Sequence, residues 1–216
     1  MINHKNIKQK SLAWFELKWG KIGGILSAGL FVKSDTLLID LISQRMEQVE
    51  IEEEGFVSKA MERGNELEPL ARVFLEKYYG VKFIETGWLQ SEENELLGIS
   101  PDGISECEKF ACEIKCLGRK KHMETVLNQE IPLDFINQLI HYFTVNKKLE
   151  TLYFICFRPE AVKHFQVVLN RKSILNIGTK AKPVLMSIEK AVELSKNAAA
   201  ELLKKIKEIE ISLNEF

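Results

Sequence analysis

The chain has 216 residues, of which 45% are hydrophobic, enough to bury the core of one α/β domain of ordinary size. Its 30 lysines and arginines nearly balance its 31 aspartates and glutamates, which excludes proteins that hold nucleic acid mainly by overall positive charge. Any contact with nucleic acid must therefore come from a local basic patch.

Signals for targeting and for disulfide bonds are weak. The apolar runs are far shorter than a bilayer span, and the opening MINHKNIKQK lacks the apolar stretch and cleavage site of a signal peptide. We therefore expect a cytoplasmic protein with no membrane association. The four cysteines are irregularly spaced and form no CxxC pair, so we expect reduced thiols.

Hydrophobic periodicity predicts alternating helices and strands with no linker between them. Helices are predicted at 11–19, 35–47, 56–79, 119–128 and 134–146, and strands at 81–90, 96–104, 110–117, 151–157 and 164–169. This order predicts an α/β (α+β) fold with a mixed central β-sheet flanked by helices, built as a single domain over residues 1–216.

The tail from Pro183 onward is predicted to form one long amphipathic helix, because proline suits a first helical turn and apolar residues then recur at steps of three and four. The apolar positions are Leu185, Ile188, Val192, Ala199, Leu202, Ile206 and Ile209, with Ser195 as the one polar member. We expect this stripe to pack on the sheet of its own domain, with a subunit contact as the alternative.

Two acidic residues and a lysine form the first candidate site. Asp102 lies in a Pro-Asp-Gly turn, and Glu113 and Lys115 lie in the strand predicted at 110–117. Because side chains alternate along a strand, Glu113 and Lys115 share one face, and the neighbouring cysteines face the core. Two carboxylates beside an ammonium group suit metal-assisted phosphodiester hydrolysis, although a solvated strand face would show the same letters.

A glutamate in the helix predicted at 56–79 adds to this pattern. Glu68 has Gly64 four residues before it and Ala71 three residues after it, small neighbours that leave room beside the carboxylate. A glycine inside a helix costs about 1 kcal/mol relative to alanine. The alternative is that Gly64 separates two helices, with Pro69 in the first turn of the second.

The helix predicted at 134–146 carries Gln138 and Tyr142 one turn apart, so both side chains can face the same ligand. His141 lies beside that face and has no companion histidine at metal-ligand spacing. We expect His141 to be an ordinary surface or half-buried residue.

In chain order, four motifs resemble the YqaJ-type viral recombinase nucleases, a lambda-exonuclease-like family of PD-(D/E)xK nucleases. The motifs are RGNELEPLA with Gly64, Glu68, Pro69 and Ala71, the SPDG turn at 100–103, CEIKC with Glu113 and Lys115, and QLIHY. The resemblance covers residues 14–157 and implies a restriction-endonuclease-like PD-(D/E)xK core. It divides the domain into an N-terminal helical DNA-end-binding segment (1–55), a catalytic core (56–170) and a C-terminal long helix (171–216).

The resemblance also implies roles for the acidic residues. Asp102, Glu113, the backbone carbonyl of Ile114 and Glu68 would be metal ligands, and Lys115 would be the catalytic lysine. The cofactor would be Mg²⁺, with Mn²⁺ able to substitute.

Further residues would bind DNA. Gln138 and Tyr142 would touch the substrate backbone near the metal. Trp14 and Lys18 match the pattern that binds a terminal 5′ phosphate, although Lys18 stands where arginine is usual and lacks its bidentate fork. The basic residues that would line the DNA path are Arg63, Arg119, Lys120 and Lys121.

The resemblance therefore implies an exonuclease that degrades linear double-stranded DNA, 5′ to 3′, in phage-type recombination. Its partners would be double-stranded DNA ends and a single-strand annealing protein, and the enzyme would be a homo-oligomer, a trimer in the family's best-known relative. Two alternatives stay open: a structure-specific endonuclease, and a catalytically inactive DNA-binding protein on the same fold.

Overall fold

The computed structural model describes residues 1–32, 35–47 and 59–214. Its helices are α1 (Leu12–Lys18), α2 (Asp35–Met46), α3 (Lys59–Tyr79), α4 (Arg119–Asn128), α5 (Leu133–Val145) and α6 (Ile188–Asn214), with a 3₁₀ helix at Leu26–Leu30. The predicted start of the third helix at residue 56 lies outside the described residues. Within the described ranges, no helix is long and apolar enough to cross a membrane.

Local sequence explains where several helices begin and end. α1 starts after Ser11, whose Oγ accepts a hydrogen bond from the Trp14 N–H. α3 stops at Gly80, which has a φ of +70° and donates its N–H to the Glu76 carbonyl. α3 runs unbroken through Pro69, so the alternative of two helices separated at Gly64 is wrong.

In the part of the chain that the structure describes, nine short strands form three sheets. The strands are β1 (Ile2–Asn3), β2 (Leu89–Gln90), β3 (Gly98–Ile99), β4 (Gly103–Ile104), β5 (Phe110–Lys115), β6 (Thr151–Cys156), β7 (Phe165–Leu169), β8 (Ile174–Asn176) and β9 (Leu185–Ser187). The sheet orders are β1-β2-β3, β4-β5-β6-β7 and β8-β9. The predicted strands at 81–90 and 96–104 are wrong in length, because most of those residues run through turns and isolated bridges.

The four-stranded sheet is mixed, as the sequence predicted. β5 pairs with β6 in parallel, and the other two pairings are antiparallel. Alternate residues of β6 enter two apolar clusters: Leu152 and Phe154 join the main core with α5, whereas Tyr153 and Ile155 join a second cluster with α3. The sheet therefore lies between α3 and α5.

The C-terminal prediction is correct for the helix but wrong for its start. Pro183 lies in the loop of a β8–β9 hairpin that the sequence analysis missed. Leu185 lies in β9, and α6 begins only at Ile188. The buried side chains of α6 include Val192, Ser195 and Ile206, and the helix contacts α5 and α2. The stripe thus packs inside the chain, mainly against α5 and α2, whereas the sequence analysis expected the sheet.

All four cysteines are free thiols. Cys112 and Cys156 are fully buried, and Cys116 is partly buried beside the second cluster. The expectation that the cysteines flanking Glu113 fill the core is confirmed, whereas Cys107 is exposed.

Candidate active site

Asp102 lies next to the C-terminal end of β5 in the main sheet. It lies in the turn between β3 and β4, and its Oδ2 accepts a hydrogen bond of 2.6 Å from the backbone N–H of Ile114. Because Ile114 lies between Glu113 and Lys115, this bond ties the Pro-Asp-Gly turn to the end of β5 that carries the other two candidate residues.

Glu113 is a buried carboxylate with three side-chain donors. It is 1% exposed. Its Oε1 lies 2.6 Å from Lys115 Nζ and accepts a hydrogen bond of 2.8 Å from Gln138 Nε2, and its Oε2 accepts one from the Tyr142 hydroxyl. A charge removed from water is tolerated only when it is paired in this way. The predicted shared face of Glu113 and Lys115 is confirmed.

Tyr142 was predicted to touch the DNA backbone, but it lies in the protein interior. The side chain is 1% exposed, and its hydroxyl faces Glu113 and the Cys112 carbonyl. Such a buried ring can act on the substrate only through Glu113. Gln138 is partly exposed and bonds to the same carboxylate, so it keeps access to a ligand.

Glu68 projects from α3 and is paired with Arg72, one turn further along the helix. Arg72 Nη2 lies 2.9 Å from Glu68 Oε1, and Arg72 Nη1 lies 2.5 Å from Glu85 Oε1. The spacing of four residues between Glu68 and Arg72 was a signal in the sequence that the prediction did not use. A Cβ added at Gly64 would meet no atom within 4 Å, whereas Ala71 is fully buried in the second cluster. Open space therefore adjoins Gly64, and packing explains Ala71.

The three carboxylates influence one another electrostatically. Burial, followed by the negative charges of Glu113 and Glu68, raises the pKa of Asp102 well above its ordinary value. Burial also raises the pKa of Glu68, although Arg72 opposes this effect. Such repulsion among one buried and two partly buried carboxylates is what a divalent cation would relieve.

The ammonium group of Lys115 complements these acids. Burial alone would lower the pKa of Lys115, but the negative charges of Glu113 and Asp102 outweigh it, so that the pKa is raised. Lys115 therefore stays charged at neutral pH.

The donor set of this site fits a hard cation. Carboxylate oxygens from Asp102 and Glu113 are the ligands that Mg²⁺ prefers, and Mg²⁺ commonly keeps several water ligands. Across residues 1–32, 35–47 and 59–214, no group of three His, Cys, Asp or Glu side chains is close enough to hold a metal ion unaided.

The N-terminal segment is anchored to the turn that carries Asp102. The indole N–H of Trp14 donates to Ser100 Oγ at 2.7 Å and to the Gly87 carbonyl at 3.0 Å. Lys18 Nζ lies 4.0 Å from the centroid of the Trp14 ring, and burial lowers its pKa. The structure thus brings Trp14 and Lys18 near the candidate site, with the indole N–H already occupied.

A glycine loop also reaches the site. A Cβ on Gly24 would lie 2.8 Å from Cγ of Gln138, the residue that bonds to Glu113. His141 supports the same loop, because its Nε2 lies 3.1 Å from the Ile22 carbonyl and 3.0 Å from the Gly98 carbonyl. His141 is 1% exposed and burial lowers its pKa to about 4, so the predicted surface position is wrong.

The predicted basic residues fall into two groups. Arg63 is held by both carboxylate oxygens of Glu160, at 3.0 and 2.7 Å. Arg119, Lys120 and Lys121 are exposed in the first turn of α4, shortly after β5, and Lys121 Nζ lies 2.7 Å from Asp134 Oδ2. Cations at a helix N-terminus oppose the helix dipole, and a bound anion would offset this effect.

Comparison with known proteins agrees with this geometry. The model of the YqaJ-like viral recombinase domain matches residues 14–148, more than half of the chain. A search of curated proteins finds no significant match. The alkaline exonuclease LHK-Exo from Laribacter hongkongensis has a similar structure, with a TM-score of 0.70, 22% identity and coverage of 95% of this chain and 99% of that chain.

LHK-Exo in complex with dAMP gives a TM-score of 0.71, with the same identity and coverage. At this identity the likeness concerns the fold, which is the lambda-exonuclease-like PD-(D/E)xK fold that the sequence predicted. The family match, which extends from Trp14 through the acidic residues of the site to Lys148, shows that the chain belongs to the YqaJ-like viral recombinase domain family.

Proposed function

We propose that the protein is a metal-dependent exonuclease that hydrolyses phosphodiester bonds of linear double-stranded DNA, 5′ to 3′, in phage-type recombination. The observation that carries the proposal is the buried Glu113 carboxylate, 2.6 Å from Lys115 Nζ and next to the Asp102 turn. Family membership supports a role in recombination, and the names of the LHK-Exo structures support exonuclease chemistry on this fold.

Some residues of the site would hold a cation, and another would assist the attack of water on the phosphate. Asp102, Glu113 and the Ile114 carbonyl would hold Mg²⁺ or Mn²⁺, with Glu68 as a further acidic ligand. The cation would polarise the scissile phosphate and lower the pKa of a bound water. Lys115, held in place by Glu113, orients the attacking water and offsets the negative charge that develops on the phosphate.

Outside the site, Arg119, Lys120 and Lys121 would contact DNA phosphates at the start of α4. Trp14 and Lys18 would lie near the terminal 5′ phosphate. The family resemblance also implies that the protein forms a homo-oligomer, specifically a trimer. It further implies that the exposed DNA strand passes to a single-strand annealing protein.

The test compares linear and closed-circular duplex DNA with Mg²⁺, using the wild type and Asp102→Asn. We expect loss of the linear DNA alone, with no loss in the variant. Matched substrates with 5′-phosphate and 5′-hydroxyl ends measure the end preference. Cleavage of the circle would indicate an endonuclease, and DNA binding without cleavage of either form would indicate an inactive binding protein.

A further inference from the structure

A cleft opens onto the acidic site. It has a volume of about 680 Å³ and lies between α3, which contributes Asn65, Glu68 and Arg72, and the N-terminal residues 5–10, with Asp102 also in its lining. One wall therefore belongs to residues 5–10 of the N-terminal segment, whose lysines the sequence analysis did not assign to DNA binding.

Three exposed lysines lie along that wall. Lys5 and Lys8 have no ion-pair or hydrogen-bond partner for their ammonium groups among the residues that the structure describes. Lys10 Nζ lies 2.5 Å from Asn65 Oδ1, and its positive charge lowers the pKa of Glu68 against the larger effect of burial. The wall is thus basic where it faces the catalytic carboxylates.

Hydrogen bonds and a close backbone contact hold this N-terminal wall against the rest of the domain. Gln9 Nε2 donates to the carbonyls of Thr86, at 2.8 Å, and of Pro101, at 3.0 Å. A Cβ on Gly87 would lie 2.0 Å from the Ile7 carbonyl oxygen, so only glycine allows this approach.

The backbone at Lys10 supports the same view. Lys10 has a φ of +66°, a left-handed conformation that costs energy for a lysine and suits a glycine. Backbone strain of this kind is most often kept where a side chain is needed.

We propose that Lys5, Lys8 and Lys10 bind internal phosphates of the DNA strand that enters the catalytic carboxylates. The inference rests on the proposed function and extends it by assigning the path of the cleaved strand. Glu68 and Asp102 make the cleft unfavourable for a polyanion, and the lysines across from them offset that repulsion. Because lysine ammonium groups contact phosphates without reading bases, the strand would be bound without sequence preference.

The test measures binding of fluorescein-labelled DNA by anisotropy, with Ca²⁺ in place of Mg²⁺. The variant is Lys5→Ala/Lys8→Ala, and its control is Lys204→Ala/Lys205→Ala, which removes two exposed lysines from α6. Each lost contact with a single strand makes the negative slope of log K against log salt shallower by about 0.7. Two lost contacts therefore change the slope by about 1.4 and weaken binding roughly 25-fold at 0.1 M salt.

We expect the Lys5→Ala/Lys8→Ala variant to lose this affinity for 5′-phosphate and 5′-hydroxyl DNA alike. The affinity of the control variant should change at most twofold. Equal affinities of the two variants would overturn the inference, as would a loss confined to 5′-phosphate ends. Hydrolysis by the wild type with Mg²⁺ is measured on the same DNA. If the wild type hydrolyses the DNA and the Lys5→Ala/Lys8→Ala variant binds DNA as tightly as the wild type, only the proposed lysine contacts are refuted. If the variant binds more weakly but the wild type does not hydrolyse the DNA, only the nuclease proposal is refuted.

Discussion

Replacing Tyr142 with phenylalanine tests how the site holds Glu113. The substitution removes one hydroxyl that bonds to a carboxylate only 1% exposed to solvent. A hydrogen bond to a charged group contributes about 1.5–3 kcal/mol to the free energy of unfolding. In a domain of this size each kcal/mol changes Tm by about 2–4 °C, so we expect a fall of roughly 3–12 °C.

The matched control is Tyr78→Phe, because Tyr78 is 62% exposed on α3. We expect its Tm to stay at the wild-type value. For Tyr142→Phe we expect kcat to fall with little change in KM, because a buried ring positions Glu113 without touching DNA. Steady-state hydrolysis and thermal denaturation give both readouts. A raised KM with an unchanged kcat and Tm would refute this reasoning and restore a direct DNA contact for Tyr142.

Three further predictions concern the surroundings of the site. Gly24→Ala should lower kcat, because its Cβ would displace Gln138, and Gly118→Ala, whose Cβ meets nothing within 4 Å, should keep the wild-type rate. Gly64→Ala should raise the free energy of unfolding by about 1 kcal/mol in urea denaturation, since the glycine lies inside α3 with open space around it. Asp102→Asn should be more stable than the wild type at pH 8 without divalent cations. The raised pKa of Asp102 means that the folded state holds a proton that the unfolded chain has released, so wild-type stability falls as the pH rises above 3.8. The stability difference should disappear toward pH 4, and a difference of equal size at both pH values would contradict the assignment.

The candidate catalytic residues could be predicted from the sequence, because short motifs identify them and strand alternation determines which face they share. Alternation alone placed Glu113 and Lys115 on one face, which the structure confirms, and the two side chains also form a direct ion pair there. The helix at 119–128 was predicted with the bounds that the structure shows. In these places the local pattern and the tertiary environment favour the same structure.

Other features depended on tertiary packing that the sequence does not display. α5 is buried on most of its surface, so its periodicity could not show that His141 and Tyr142 face the interior. Leu185 fits the helical spacing of α6 and is nevertheless in β9, because pairing with β8 outweighs the local pattern. The contact between Gly24 and Gln138 joins two distant segments and left no local signal.

The central claim is that Glu113 belongs to a metal-dependent hydrolytic site. The most direct measurement is the rate of nucleotide release from linear 5′-phosphorylated duplex DNA, in Mg²⁺ and in EDTA, for the wild type, Glu113→Gln and the exposed α6 control Glu193→Gln. Loss of a metal ligand removes several kcal/mol of transition-state stabilisation, so we expect Glu113→Gln to be about a thousandfold slower. Glu193→Gln should match the wild type, and EDTA should stop both. Release by Glu113→Gln within tenfold of the wild-type rate, or wild-type release in EDTA, would contradict the claim.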